Sequence, residues 1–232
     1  MQNCFFRLLL ILVYFFGGAL SAVAQSNNYQ FARYSAEKGL SHNQVSCFLK
    51  DRQGFVWVGT ADGLNRFDGY SFKIFKHDPA DSTTLADHHI NALFEDPDGY
   101  IWINTREGYN IYDPATESID KNANKAAHRL GLPDADFSRV LKGKNGDYWI
   151  SHNRLGLLKY IPSKKLLSKV KLTPEPVLQD NKTFPVISDF NEDATGNLWI
   201  VYNDGFLARL DAKTYKSTYQ TTLLRNKTWK FH

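Results

Sequence analysis

Seven histidines, two cysteines and 24 carboxylates are what this 232-residue chain offers for chemistry. His88 and His89 form the one adjacent histidine pair, but neighbouring strand residues point to opposite faces, so the two cannot readily share a metal. Asp96 and Asp98 open like a calcium loop, yet the downstream Glu ligand is missing and Asp96-Pro97-Asp98-Gly99 reads as a turn. Cys47 sits in the strand-like run Val45-Ser46-Cys47-Phe48-Leu49, where a thiol serves better as a small core hydrophobe than as a nucleophile. No His-Glu-x-x-His, Gly-x-Ser-x-Gly or phosphate-loop pattern occurs. His42, His88 and His152 fall near expected loops and are candidates for ligand contact; the competing reading is solvated loop histidine. The sequence assigns no catalytic, cofactor or metal residue, and ligand-binding residues stay unassigned.

The elements that would position these groups follow from an internal repeat. Trp57, Trp102, Trp149 and Trp199 are separated by 45, 47 and 50 residues. Three positions before each stands Gly54, Gly99, Gly146 or Gly196. Six before stands Asp51, Asp96 or Asp193, with Gly143 in the third copy. Nine and twelve before, every copy is apolar: Phe48, Leu93, Val140 and Phe190, then Val45, Ile90, Phe137 and Ile187. A second glycine follows at Gly63, Gly108, Gly156 or Gly205. In the first copy the strands read Val45 to Lys50, Phe55 to Gly59, Leu64 to Phe67 and Tyr70 to Phe75, divided by turns whose glycines supply positive φ and whose Asp bonds the turn backbone. Four short strands per period of 40 to 50 residues predict an all-β chain of β-propeller blades, a partial propeller of four recognisable four-stranded repeats. Each repeat tryptophan is then a core residue between blades rather than a sugar-stacking platform. Acidic residues recurring at turn offsets indicate scaffold, not paired catalytic carboxylates. Residues 120–130 break the strand pattern and read as an insertion with room for one helical turn.

Composition agrees. The chain is 43% hydrophobic, 14% aromatic and 22% charged, ordinary values for a folded domain rich in strands. A net charge of +4 without a Lys/Arg stripe argues against nucleic acid. Arg7, the apolar run Leu8 to Phe16 and the Ala22-Val23-Ala24 end read as a signal peptide over residues 1–24, with cleavage expected before Gln25. The competing reading is a membrane anchor, for which the apolar run is short, and no further membrane span is expected after it. Cys47 then remains alone, and packing rather than disulfides must hold the fold. Residues 25–40 form a lead-in in which Tyr29 to Ser35 resembles a closing strand. Residues 41–232 hold the repeats, at about 41–86, 87–134, 135–183 and 184–228, and end without a closing strand. Trp229, with Asn226 three positions before it, is not read as a fifth copy.

The strings Gly39-Leu40-Ser41-His42-Asn43-Gln44-Val45, Asp51-Arg52-Gln53-Gly54-Phe55-Val56-Trp57-Val58-Gly59-Thr60 and Gly63-Leu64-Asn65-Arg66-Phe67-Asp68-Gly69 resemble the two-component regulator propeller repeat. The second copy keeps the pattern from Asn91 to Asp113, with Asn104-Thr105 for Gly-Thr. The third loses the Asp and the Gly-Thr and carries an extra residue before Gly156, and the fourth has Val201-Tyr202 at the Gly-Thr position. The resemblance implies the N-terminal periplasmic sensor region of a Bacteroidetes hybrid two-component histidine kinase. Such sensors carry two seven-bladed propellers, an immunoglobulin-like domain, one membrane helix, a kinase, a receiver and a DNA-binding domain, and respond to oligosaccharides. It therefore implies a fragment of a larger sensor anchored in the inner membrane. The implied partners are an oligosaccharide, the remainder of the propeller and a homodimer partner, with no cofactor and no catalysis in this segment. Two other classes stand beside it: a secreted propeller enzyme acting on polysaccharide, and a purely structural or interaction propeller.

Overall fold

The computed structural model describes residues 31–172, 186–203, 205–211 and 213–220. The signal-peptide assignment and Trp229 lie outside the described residues. The chain divides into two units, residues 1–34 and 35–232. Of the first unit only residues 31–34 are described, with no regular structure and Phe31 94% exposed. Residues 31–35 thus form no strand, contrary to the expectation for Tyr29 to Ser35, of which residues 29 and 30 are not described. A strand needs a ladder partner, and each sheet of the second unit is complete in its own four consecutive strands.

Those sheets are four successive antiparallel blades of a β-propeller. The first runs β1 (Val45–Lys50), β2 (Val56–Thr60), β3 (Gly63–Phe67) and β4 (Phe72–Phe75). The second is β5 (Ile90–Glu95), β6 (Ile101–Thr105), β7 (Gly108–Asp113) and β8 (Ser118–Asp120). Helix α1 (Ala123–Arg129) follows, in the insertion expected over residues 120–130, with the Asn122 side chain capping the Asn124 amide. The third holds β9 (Phe137–Lys142), β10 (Tyr148–His152), β11 (Gly156–Ile161) and β12 (Leu166–Lys169). The fourth holds β13 (Ile187–Glu192), β14 (Leu198–Tyr202), β15 (Leu207–Leu210) and β16 (Ser217–Gln220). In each blade the first hairpin turns on the predicted glycine. Gly54, Gly99, Gly146 and Gly196 take φ of 96°, 97°, 85° and 88°, where a Cβ is disfavoured, and each amide closes the turn on the carbonyl three residues back.

The core lies between blades. Trp57 packs with Ile90, Ile101, Ile103, Tyr112 and Ile119 of the second blade. Trp102 packs with Phe137, Tyr148 and Ile150 of the third, and with Ala123, Ala126 and Ala127 of α1. Trp149 packs with Ile187, Phe190, Leu198 and Ile200 of the fourth. One face of a blade presents the tryptophan, and the opposite face of the next presents the apolar residues on either side of its own tryptophan. Period-two alternation in the β2-type strand produces both faces. Cys47 is partly buried against the first of these cores, and burial pushes its thiol pKa up, as a core role requires.

Candidate functional site

The antiparallel order gives each blade two chemically distinct ends. One carries the turn between its first and second strands, and there the repeat carboxylate is a structural clamp. Asp51 Oδ1 accepts the amides of Gln53 (3.0 Å) and Phe55 (2.9 Å) while Oδ2 accepts Trp57 Nε1 at 2.7 Å. Asp96 does the same for Asp98, Tyr100 and Trp102 Nε1, and Asp193 for Thr195, Asn197 and Trp199 Nε1. The turn bonds were legible in the sequence. The indole bond was not, although the fixed six-residue offset was its signal. Asp96 is fully buried, and desolvation pushes its pKa up against these hydrogen bonds. Its oxygens are committed to the turn and the indole, so the calcium-loop reading falls. The third blade has Gly143 instead. There Lys159 stands 5.0 Å over the Trp149 ring and pairs with Asp147 at 2.9 Å.

At the other end lie the turns between second and third strands and the connections that lead into each blade. All six described histidines are here: His42, His77, His88, His89, His128 and His152. Asp62, in the β2–β3 turn, accepts Lys76 Nζ at 2.6 Å and lies 3.5 Å from His88 Nδ1. Hydrogen bonding from Lys76, with further attraction from His88 and His42, holds its carboxyl below the usual range. The His77 and His88 rings meet edge to face at 5.3 Å. His42 is exposed, its Nδ1 accepting the Gln44 amide at 3.0 Å. The structure thus gathers His42 and His88 about Asp62 but leaves His152 in the third blade. His152 is not a solvated loop histidine: its side chain is 0% exposed. It occupies the offset held by Thr60 and Thr105 in the first two blades, facing Asp134 and Arg154. Among the described residues no three His, Cys, Asp or Glu side chains converge as metal ligands.

A cleft of about 180 Å³ opens beside the second blade, lined by Tyr100, Asp113, Asp120, Lys125 and Arg129 among others. Arg129 stacks 3.9 Å over the Tyr100 ring. One Asp113 oxygen accepts the Ala115 amide and one Asp120 oxygen the Asn122 amide. The charges balance, so the cleft suits a polar ligand better than a strongly charged one.

Successive four-stranded blades joined through tryptophan cores define the class: this is a β-propeller scaffold. Two stretches, residues 39–62 and 84–107, match the two-component regulator propeller family. The matched stretches cover the first two strands of each of the first two blades, and the remaining two blades continue the same architecture. A curated relative, histidine kinase P4 of Formosa agariphila, is 44% identical over 68 residues, which cover 29% of this chain and 5% of that protein. Among solved structures, the extracellular domain of BT3049 from B. thetaiotaomicron, described as a hybrid two-component system, is 20% identical with a TM-score of 0.43. The match covers 82% of this chain and 32% of that one. For the extracellular domain of BT4673 from the same organism the identity is 16% and the TM-score 0.46, covering 88% and 33%. The chain thus spans one twentieth of the curated relative and about a third of each solved domain.

Proposed function

We propose that this chain is an extracytoplasmic sensor module of a two-component signalling system, non-catalytic in itself, whose parent detects a carbohydrate and signals through a histidine kinase. The supporting observation is the regulator propeller repeat at residues 39–62 and 84–107, set in blades whose other two copies preserve the tryptophan frame. The cleft beside the second blade, with an aromatic ring and hydrogen-bonding carboxylates in its wall, fits a hydroxyl-rich ligand. Export through residues 1–24 puts the module in the periplasm. Among the described residues no helix is long and apolar enough to cross a membrane. Its further partners are the remaining blades of the sensor propeller and a second copy of the parent.

Calorimetric titration with a panel of oligosaccharides tests the ligand class. Saturable heat with one member supports it, and no heat across the panel favours a structural module. A reducing-end assay on the same panel tests for catalysis, and product release would replace the sensor reading with a polysaccharide-cleaving enzyme. Intact mass of the exported protein should begin at Gln25.

A further inference from the structure

The β10–β11 turn of the third blade differs from its counterparts in length and in the side chain that closes it. In the first two blades, Thr60 pairs with Gly63 and Thr105 with Gly108 across two-residue turns, and each hydroxyl donates to the glycine carbonyl at 2.8 Å. In the third, His152 pairs with Gly156 across residues 153–155, one residue longer. The imidazole fills the larger turn: Nδ1 accepts the amides of Arg154 at 3.2 Å and Leu155 at 3.4 Å. An Nδ1 that accepts carries no proton, so the ring is the neutral Nε2–H tautomer. Nε2 is buried 3.2 Å from Asp134 Oδ1, off the line of a hydrogen bond. The charged groups facing the ring among the described residues come from two elements. Asp134 and Asp136 lie in the connection leading into β9, and Arg154 lies in the turn itself. Arg154 pairs with Asp134 and stands 3.6 Å from Asp136, which also accepts Asn153 Nδ2 at 2.6 Å.

We propose that His152 makes the loop end of the third blade acid-responsive: a proton taken up at Nδ1 turns the acceptor of two backbone amides into a donor, both bonds are lost, and residues 153–155 release with the Arg154–Asp134 pair they carry. Thr60 and Thr105 have no titrating atom at this position, so the first two blades keep their turns closed. Burial disfavours the imidazolium and lowers its pKa below the ordinary value of about 6.5, with the Asp136 charge opposing. A lowered pKa in the closed turn means that the released turn binds the proton more tightly. The closed form is therefore at its full stability above about pH 6.5 and weakens as pH falls below it. This device is independent of which ligand the module takes.

Long-range and backbone 1H–15N NMR on the full chain, from about pH 7.5 to 4.5, tests it across the range in which histidine changes charge. The expected result is an Nε2–H ring at the upper pH, with the Arg154 and Leu155 amides moving upfield together as the ring titrates. His152→Thr, which installs the residue of the first two blades, abolishes that movement. An Nδ1-protonated ring at the upper pH, amide positions that do not follow the ring, or an unchanged titration in His152→Thr would overturn the proposal. If the variant does not fold, the tautomer and the coupled amide shifts of the unsubstituted chain decide the matter.

Discussion

Asp51, Asp96 and Asp193 show what a repeat carboxylate does here. One oxygen ties down the turn and the other holds the indole of the blade's own tryptophan, so turn geometry and core packing are joined through one side chain. Asp96→Ala should therefore cost about 1.5–3 kcal/mol in urea unfolding, the range for hydrogen bonds to a charged group. It should cost more than Asp193→Ala, because Asp96 is fully buried. Equal losses would mean that burial adds nothing to the clamp. Trp102→Ala should cost about 3–5 kcal/mol, since the ring is 0% exposed and touches two blades and the helix. A thermal melt left unchanged would contradict the inter-blade core. Glu117 reaches across from the second blade to Arg66 at 2.7 Å and Lys73 at 2.6 Å, which lowers its pKa to about 2. A depressed carboxylate stabilises above its unfolded pKa and loses that contribution as pH falls through the folded one. Glu117→Gln should flatten the pH dependence of stability between about pH 4.3 and 2 and leave the neutral range nearly flat.

At the scale of elements, the hairpins and their junctions carry the pattern. Arg52 of the first blade reaches Glu95 Oε1 (2.6 Å) and the Asp96 carbonyl (2.7 Å) of the second. Lys144, at the same offset in the third, takes Glu192 Oε2 through its amide (2.7 Å) and the Asp193 carbonyl through Nζ (2.9 Å) of the fourth. Gly143, which departs from the repeat, lies beside that second bridge. A Cβ there would lie 3.3 Å from Glu192 Oε2 and 3.2 Å from Asn145 Oδ1. Restoring the repeat with Gly143→Asp should thus destabilise by on the order of 1 kcal/mol or more, through crowding and like charge, rather than stabilise. A raised Tm would sink the explanation. The strands, turns and helical insertion were legible because glycine, aspartate and tryptophan offsets are local. The absence of a strand over residues 31–35 was not, because pairing depends on which edge is available.

Across the whole molecule, position-matched burial separates inner from outer faces. Trp57, Trp102 and Trp149 are 1%, 0% and 2% exposed, whereas Trp199 at the same offset is only partly buried. Phe190 is 2% exposed, and its counterpart Phe48 is 74% exposed. Each inner face is covered by a neighbouring blade, and no described blade covers the Phe48 face or the Trp199 face. Such apolar sheet faces favour association. The isolated chain is expected to self-associate with rising concentration and to melt at low temperature, measured by light scattering and calorimetry. A cooperative, monomeric melt at high temperature would refute this. Collisional quenching of tryptophan fluorescence gives a second measurement. Trp199→Phe should remove more of the quenchable emission than Trp102→Phe, and equal effects would place Trp199 in a covered core.

The amino-acid order alone determined the blade number, the strand sequence within each blade and the family resemblance. All three rest on residue types at fixed short offsets, where glycine must take positive φ and the β2-type strand must alternate its faces. Only the tertiary structure decided what the side chains at those offsets touch. Asp96 reaches an indole, Glu192 crowds the position of Gly143, and His152, read from the sequence as a loop residue, is itself buried inside a turn in place of threonine. The physical reason is the same in each case. An offset fixes where a side chain starts, whereas burial, partner and protonation state depend on residues roughly a blade away in sequence or across a turn, which meet only when the blades pack.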